Sequence, residues 1–140
     1  MSKLYVAYGS NLNIMQMGYR CPTAKVVGIG KIIDYKLTFR GVATIEKETK
    51  KEVPVAVWEI KENDEKALDI YEGYPTLYRK EIIEVVMKDK VIKGMVYIMN
   101  RGIPHLPTRK YLEVIKSGYN DVGLDLSYLK EALEDTKDRM

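Results

Sequence analysis

Between Lys25 and Ile60 the chain is dominated by residues that fit a pleated sheet, and no later stretch can override that density. Val26, Val27, Ile29, Ile32, Ile33, Tyr35, Leu37 and Phe39 are followed by Ala43 to Ile45 and by Val53, Val55, Val57, Trp58 and Ile60. β-Branched and aromatic side chains pack well on a sheet face and lose rotamer freedom in a helix. The segment therefore predicts one long strand, Lys25–Phe39, and then a hairpin. That hairpin joins Ala43–Ile45 to Val53–Ile60 through the charged stretch Lys47 to Lys51, read as a solvated turn.

The flanking sequence extends the pattern. Leu4 to Tyr8 is a short buried-strand signal that stops at the turn residues Gly9-Ser10-Asn11. Leu12 to Tyr19 reads as a short helix or turn, ended by Cys21-Pro22. Asn63 to Gly73 reads as a helix, with Asn63 as its cap, acidic residues at its positive end and Gly73 as its stop. Tyr78–Met87 and Val91–Met99 form a second hairpin around Asp89-Lys90. Helices over Tyr111–Tyr119 and Leu126–Leu133 follow, and the charged residues from Glu134 to Met140 are expected to fray. Six or seven strands with helices mostly after them predict an α+β fold. It is one domain over residues 1–140, a mixed, mostly antiparallel sheet closing into a small barrel with flanking helices.

Charge and composition remove several function classes. A formal charge of +3, spread along the chain and interleaved with acids, lacks the one-sided basic face that nucleic acid requires. No apolar run is long enough for a bilayer, and Met1-Ser2-Lys3-Leu4 lacks an apolar signal region. A cytoplasmic protein with a small-molecule partner, no nucleic acid and no membrane is the expectation. The single cysteine, Cys21, cannot form an internal disulfide and reads as a packed residue. One histidine, His105, between Pro104 and Pro107, is far from any nucleophile signature. One His and one Cys do not supply a common zinc site.

Two features remain. A strand ending in Tyr8-Gly9-Ser10-Asn11-Leu12 presents backbone N–H groups that suit a carboxylate or an oxyanion. Glu72 lies in the last turn of its predicted helix, at the negative end of the dipole and beside Tyr71, Tyr74 and Tyr78. Both the dipole and partial burial raise a glutamate from its usual value near ~4.3 toward neutrality, the direction a general base needs.

Taken together, Tyr8-Gly9-Ser10-Asn11-Leu12, Leu68-Asp69 with Glu72-Gly73, and Tyr78-Arg79 resemble the gamma-glutamylcyclotransferase-like family. Arg20-Cys21-Pro22, Leu37 to Arg40, Val55 to Trp58, Pro107 to Leu112, Gly118 and Tyr128 extend the likeness over nearly the whole chain. The resemblance implies a compact mixed barrel and an enzyme without metal or cofactor. The substrate would be a small γ-glutamyl compound, cyclised to 5-oxoproline with release of an amine or amino acid. It further implies that Tyr8, Gly9, Ser10, Asn11 and Leu12 cradle the γ-glutamyl part, that Tyr78 lines the pocket, and that Glu72 is the catalytic acid/base. A non-catalytic binding module for such ligands, or an amidohydrolase on the same architecture, remains open at this stage. Two departures stand out: the Glu72–Tyr78 segment is one residue shorter than in the glutathione-cycle branch, and Thr108 replaces an expected serine.

Overall fold

In the computed structural model, which describes residues 2–140, five strands close into a barrel in the order β1-β3-β2-β4-β5. The strands are β1 (Ser2–Ala7), β2 (Lys25–Phe39), β3 (Ala43–Lys61), β4 (Tyr78–Val86) and β5 (Val91–Met99). Four neighbouring pairs are antiparallel, and a parallel contact between β1 and β5 at Tyr5 and Met95 completes the ring. The expected mixed, mostly antiparallel barrel is therefore present, built from fewer and longer strands. Closure leaves no long open edge to attract other chains.

The predicted hairpin inside residues 43–60 does not exist. Ala43–Ile45 and Val53–Ile60 lie on one 19-residue strand, β3, and both pair with β2. The turn falls earlier, at Gly41, where Arg40 N–H donates to Val42 O at 2.9 Å. The charged run is an exposed irregularity within β3: Ile33 faces Glu52 and Tyr35 faces Lys47, with residues 48–51 bulged opposite Asp34. Lys50 N–H donates to the Asp34 carboxylate at 3.0 Å, which anchors the bulge. A solvent-facing bulge and a solvent-facing turn demand the same polar composition, so the sequence pattern does not separate them. Downstream, Val53 to Trp58 is buried at every position, so both faces of this part of β3 are covered, while β2 and β1 pair with its edges.

Four helices pack around the barrel: α1 (Ile14–Arg20), α2 (Glu62–Glu72), α3 (Arg109–Val122) and α4 (Ser127–Asp138). A 3-10 turn over Ser10–Leu12 precedes α1. Helix α2 begins one residue before Asn63, and the capping group is Asp64, whose carboxylate accepts from Lys61 N–H at 2.9 Å. At its other end, Gly73 is left-handed (φ 68°). Gly73 N–H donates to Ile70 O and Tyr74 N–H to Asp69 O, the paired bonds of a glycine-stopped helix. Thr108 caps α3 by accepting from Tyr111 N–H at 3.2 Å, so the exchange of serine for threonine costs the helix nothing visible.

The C-terminal end also departs from expectation. Helix α4 continues to Asp138 instead of fraying after Leu133. Thr136 is fully buried, donates to Ala132 O at 2.8 Å and accepts the Phe39 N–H at 3.2 Å. Arg139 reaches Glu46 at 3.3 Å. These tertiary bonds hold a segment whose own composition favours solvent. Among the described residues, no helix is long and apolar enough to cross a membrane.

Candidate active site

Strand β1 ends at Ala7, and Tyr8 and Gly9 carry the chain into the 3-10 turn. Leu12 N–H closes it on Gly9 O at 3.0 Å, and Asn13 N–H bonds Ser10 O at 3.1 Å. The turn rests on α3, which approaches so closely at Gly118 that an added Cβ would lie 2.7 Å from Asn13 N and 2.8 Å from the Leu12 carbonyl carbon. Helix α2 arrives from the other side and ends at Glu72. Between them is a small, partly open hollow lined by Tyr5, Val6, Tyr8, Gly9, Ser10, Asn11, Ala43, Glu72, Tyr78, Tyr97 and Tyr111.

The structure thus brings together Tyr8, Gly9, Ser10, Asn11, Glu72 and Tyr78 from the sequence reading. Leu12 stands apart. Its side chain is fully buried and its amide is committed to Gly9 O, so it supports the turn from beneath and does not border the hollow.

Glu72 is half-buried. Among the described residues, no hydrogen bond or ion pair engages its carboxylate. Burial pushes its proton affinity up to a pKa of about 7, and the charge of Arg20 opposes that rise. The surrounding hydroxyls point to the same geometry. Burial raises Tyr5, Tyr8, Tyr78 and Tyr111 above the ordinary phenol range, and the charge of Glu72 adds to each. These rings are fixed by bonds to the framework: Tyr8 OH donates to Tyr97 O (2.7 Å), Tyr78 OH to Ala43 O (2.7 Å), and Tyr111 OH accepts from Ala43 N–H (3.1 Å). Tyr97 OH donates to Asp69 at 2.6 Å, and Lys80 pairs with Asp69 at 2.9 Å. A carboxyl raised toward neutrality beside a tight turn, in a wall of phenols bonded to the framework, is suited to bind a small zwitterion and move its proton.

Tyr5, Tyr97, Tyr111 and Arg20 were not singled out as site residues. The signal available was a composition of 11 tyrosines against one phenylalanine. A buried Tyr needs a partner for its hydroxyl, whereas Phe does not, so such a bias marks a polar interior without locating it.

The other chemistry-bearing residues lie elsewhere. Cys21 is buried, and burial pushes its thiol up to about 11, which leaves it unreactive at neutral pH. His105 is exposed, with Nδ1 2.8 Å from Leu106 O. A larger groove runs beneath α4, but its acids are mostly paired: Lys36 with Glu48 and Asp135, and Lys51 with Glu131. Tyr128 borders that groove, hydrogen-bonded to Glu52. Among the described residues, no three His, Cys, Asp or Glu side chains come together as metal ligands.

Residues 5–119 match the family model described as "Gamma-glutamyl cyclotransferase, AIG2-like". A Bos taurus protein named gamma-glutamylcyclotransferase is 31% identical over 144 residues, covering 93% of this chain and 77% of its own length. The Homo sapiens protein of the same name is 30% identical over 141 residues, covering 91% and 75%. A solved structure named gamma-glutamyl cyclotransferase superposes with a TM-score of 0.83 at 27% identity, covering all of this chain and 89% of that one.

Proposed function

The chain belongs to the gamma-glutamyl cyclotransferase, AIG2-like family, and on that premise we propose that residues 1–140 act as one catalytic domain on a small γ-glutamyl amide. The products are 5-oxoproline and a free amine or amino acid. The observation that carries this reading is Glu72: a carboxyl pushed up to a pKa of about 7 by burial, with no hydrogen-bonded partner among the described residues, lining the same hollow as Gly9, Ser10 and Asn11.

The substrate's α-amine enters mainly as an ammonium. Glu72 takes one proton from it, and the freed nitrogen attacks the γ-carbonyl carbon. A new C–N bond closes the five-membered lactam. Glu72 hands the first proton to the departing nitrogen as the old amide C–N bond breaks, then takes the second proton from the ring nitrogen and passes it to the freed amine, which leaves as an ammonium. A carboxyl raised toward neutrality performs these transfers at neutral pH with little cost either way. The amides of Gly9, Ser10 and Asn11 are suited to hold the α-carboxylate or the oxyanion of the tetrahedral intermediate. Leu12 serves as their support rather than as a contact. Tyr8 and Tyr78, anchored on backbone carbonyls, shape the wall that folds the extended γ-glutamyl chain into attack geometry. No step requires a metal or cofactor. We infer a cytoplasmic setting, which the unpaired, buried Cys21 thiol suits.

The test is a panel of γ-glutamyl amides assayed by mass for 5-oxoproline against free glutamate. Lactam formation by the wild-type protein, and its loss by at least about 10²-fold in Glu72→Gln with ligand binding retained, is the expected result. Release of glutamate instead of lactam, or full turnover in the variant, rejects the mechanism.

A further inference from the structure

Arg20 ends α1, outside the lining of the hollow, yet it touches both of the elements that form the hollow. Its Nη1 donates to Asn11 Oδ1 at 2.7 Å, and its Nη2 to Gln16 Oε1 at 2.7 Å. Its guanidinium carbon lies 3.6 Å from the centroid of the Tyr71 ring, within cation–π range. Tyr71 precedes Glu72 on α2, and its hydroxyl pairs with Ser10 Oγ at 2.7 Å. Asn11 in turn donates to Tyr5 OH at 2.9 Å. One planar cation is therefore bonded to the turn on one side and stacked on the catalytic helix on the other. Both of its Nη groups and one face are engaged by protein, so it is not a free hand for substrate.

The groups facing Glu72 come from every packed element. Tyr5 and Tyr8 belong to the β1 end, Tyr78 to β4, Tyr111 to α3, Tyr71 to α2 itself and Arg20 to α1. Tyr5, Tyr8, Tyr78 and Tyr111 are neutral near pH 7, because burial holds them above the ordinary phenol range. Arg20 is the one charged side chain acting on the Glu72 carboxyl among the described residues.

We propose that Arg20 is a positioning residue for this site: through Asn11 and Tyr71 it ties the substrate-binding turn to the helix that carries Glu72, and it sets a fixed positive charge against the end of that helix. The proposal rests on Glu72 being the acid/base group. Its two parts separate by chemistry. Lysine keeps the charge but has neither the fork nor the flat face that the guanidinium uses. Methionine keeps the length and loses the charge.

In Arg20→Met, the acid limb of kcat/KM against pH is expected to move up by about 0.5–1 unit, with KM raised about tenfold. In Arg20→Lys, KM is expected to rise by a similar factor while the limb stays within about 0.2 unit of wild type. A residue that merely holds the fold would lower kcat/KM at all pH values and leave the limb in place. A carbon-13 NMR titration of the Glu72 carboxyl in wild type and both variants reads the same shift without turnover, and circular dichroism checks folding. An unmoved Glu72 titration in Arg20→Met, or an unchanged KM in Arg20→Lys, overturns the assignment. A wild-type profile with no acid limb that Glu72→Gln abolishes points instead to failure of the Glu72 reading itself.

Discussion

Two glutamates at different places on the barrel show how neighbours decide what a carboxyl does. Glu46, on β3 where α4 covers the sheet, accepts from Arg40 at 2.9 Å and lies 3.3 Å from Arg139. Burial would raise it, but the bonds and charges of those two arginines outweigh burial and hold it below the usual carboxylate range. Glu72, at the end of α2, has burial and one opposing charge, and no bonded partner among the described residues; it rises to about 7. Glu46 is a permanent charge that ties the C-terminal helix to the barrel. Glu72 is held well above the usual carboxylate range by burial. The two differ in both burial and partners: Glu72 is the more deeply desolvated, while Glu46 is less so and is held charged by two arginines.

The contrast breaks most visibly in turnover. Glu72→Gln is expected to lose at least about 10²-fold, whereas Glu46→Gln should stay within about twofold, since it lies outside the hollow lining. Equal losses in a 5-oxoproline assay would mean that both glutamates act through stability.

The next largest effect is in stability against pH, where the two sites have opposite signs. The folded Glu72 binds its proton more tightly than the unfolded chain does, so its burial costs nothing below about pH 4.5 and destabilises progressively as pH rises to about 7. Glu72→Gln should therefore be more stable than wild type above pH 7, by at most roughly 3 kcal/mol, and equal to it at pH 4. Glu46 has a lowered pKa, so its contribution is present above about 4.5 and is lost as pH falls below that value. Urea melts of both variants from pH 4 to 8 measure the two slopes.

Thr136→Val sharpens the comparison without touching a charge. It leaves the buried Phe39 N–H without its acceptor and should cost about 1–3 kcal/mol in chemical denaturation, with turnover unchanged. The smallest effect is the stability cost of Glu46→Gln at neutral pH, about 1 kcal/mol, because its ion pairs are partly exposed and screened. Raised salt should shrink that cost and leave the Thr136→Val cost unchanged.

Much of the architecture followed from local rules. The sheet-rich first hundred residues, the glycine stop at Gly73, the turn after the first strand and the cap at Thr108 all obey constraints that act within a few residues. Errors arose where local and tertiary solutions share a composition. Residues 47–51 are charged because they are exposed, and a bulge exposes them as well as a turn would. Glu134 to Met140 is polar enough to fray, yet Thr136 and Arg139 find partners on β2 and β3, far away in sequence.

The same division runs through the candidate site. The sequence alone determined that a carboxyl would end a glycine-stopped helix, and that a tight amide-rich turn would end the first strand. Tertiary structure decided that the two meet: Ser10 and Tyr71, 61 residues apart, join at 2.7 Å. It also decided that Leu12 turns inward, that Tyr5, Tyr97 and Tyr111 complete the wall, and that Arg20 lies between the turn and the helix. Helix stops and turns are set by a residue's own backbone preferences and those of its neighbours. Desolvation and electrostatic coupling belong to pairs of groups, and folding alone chooses the pairs.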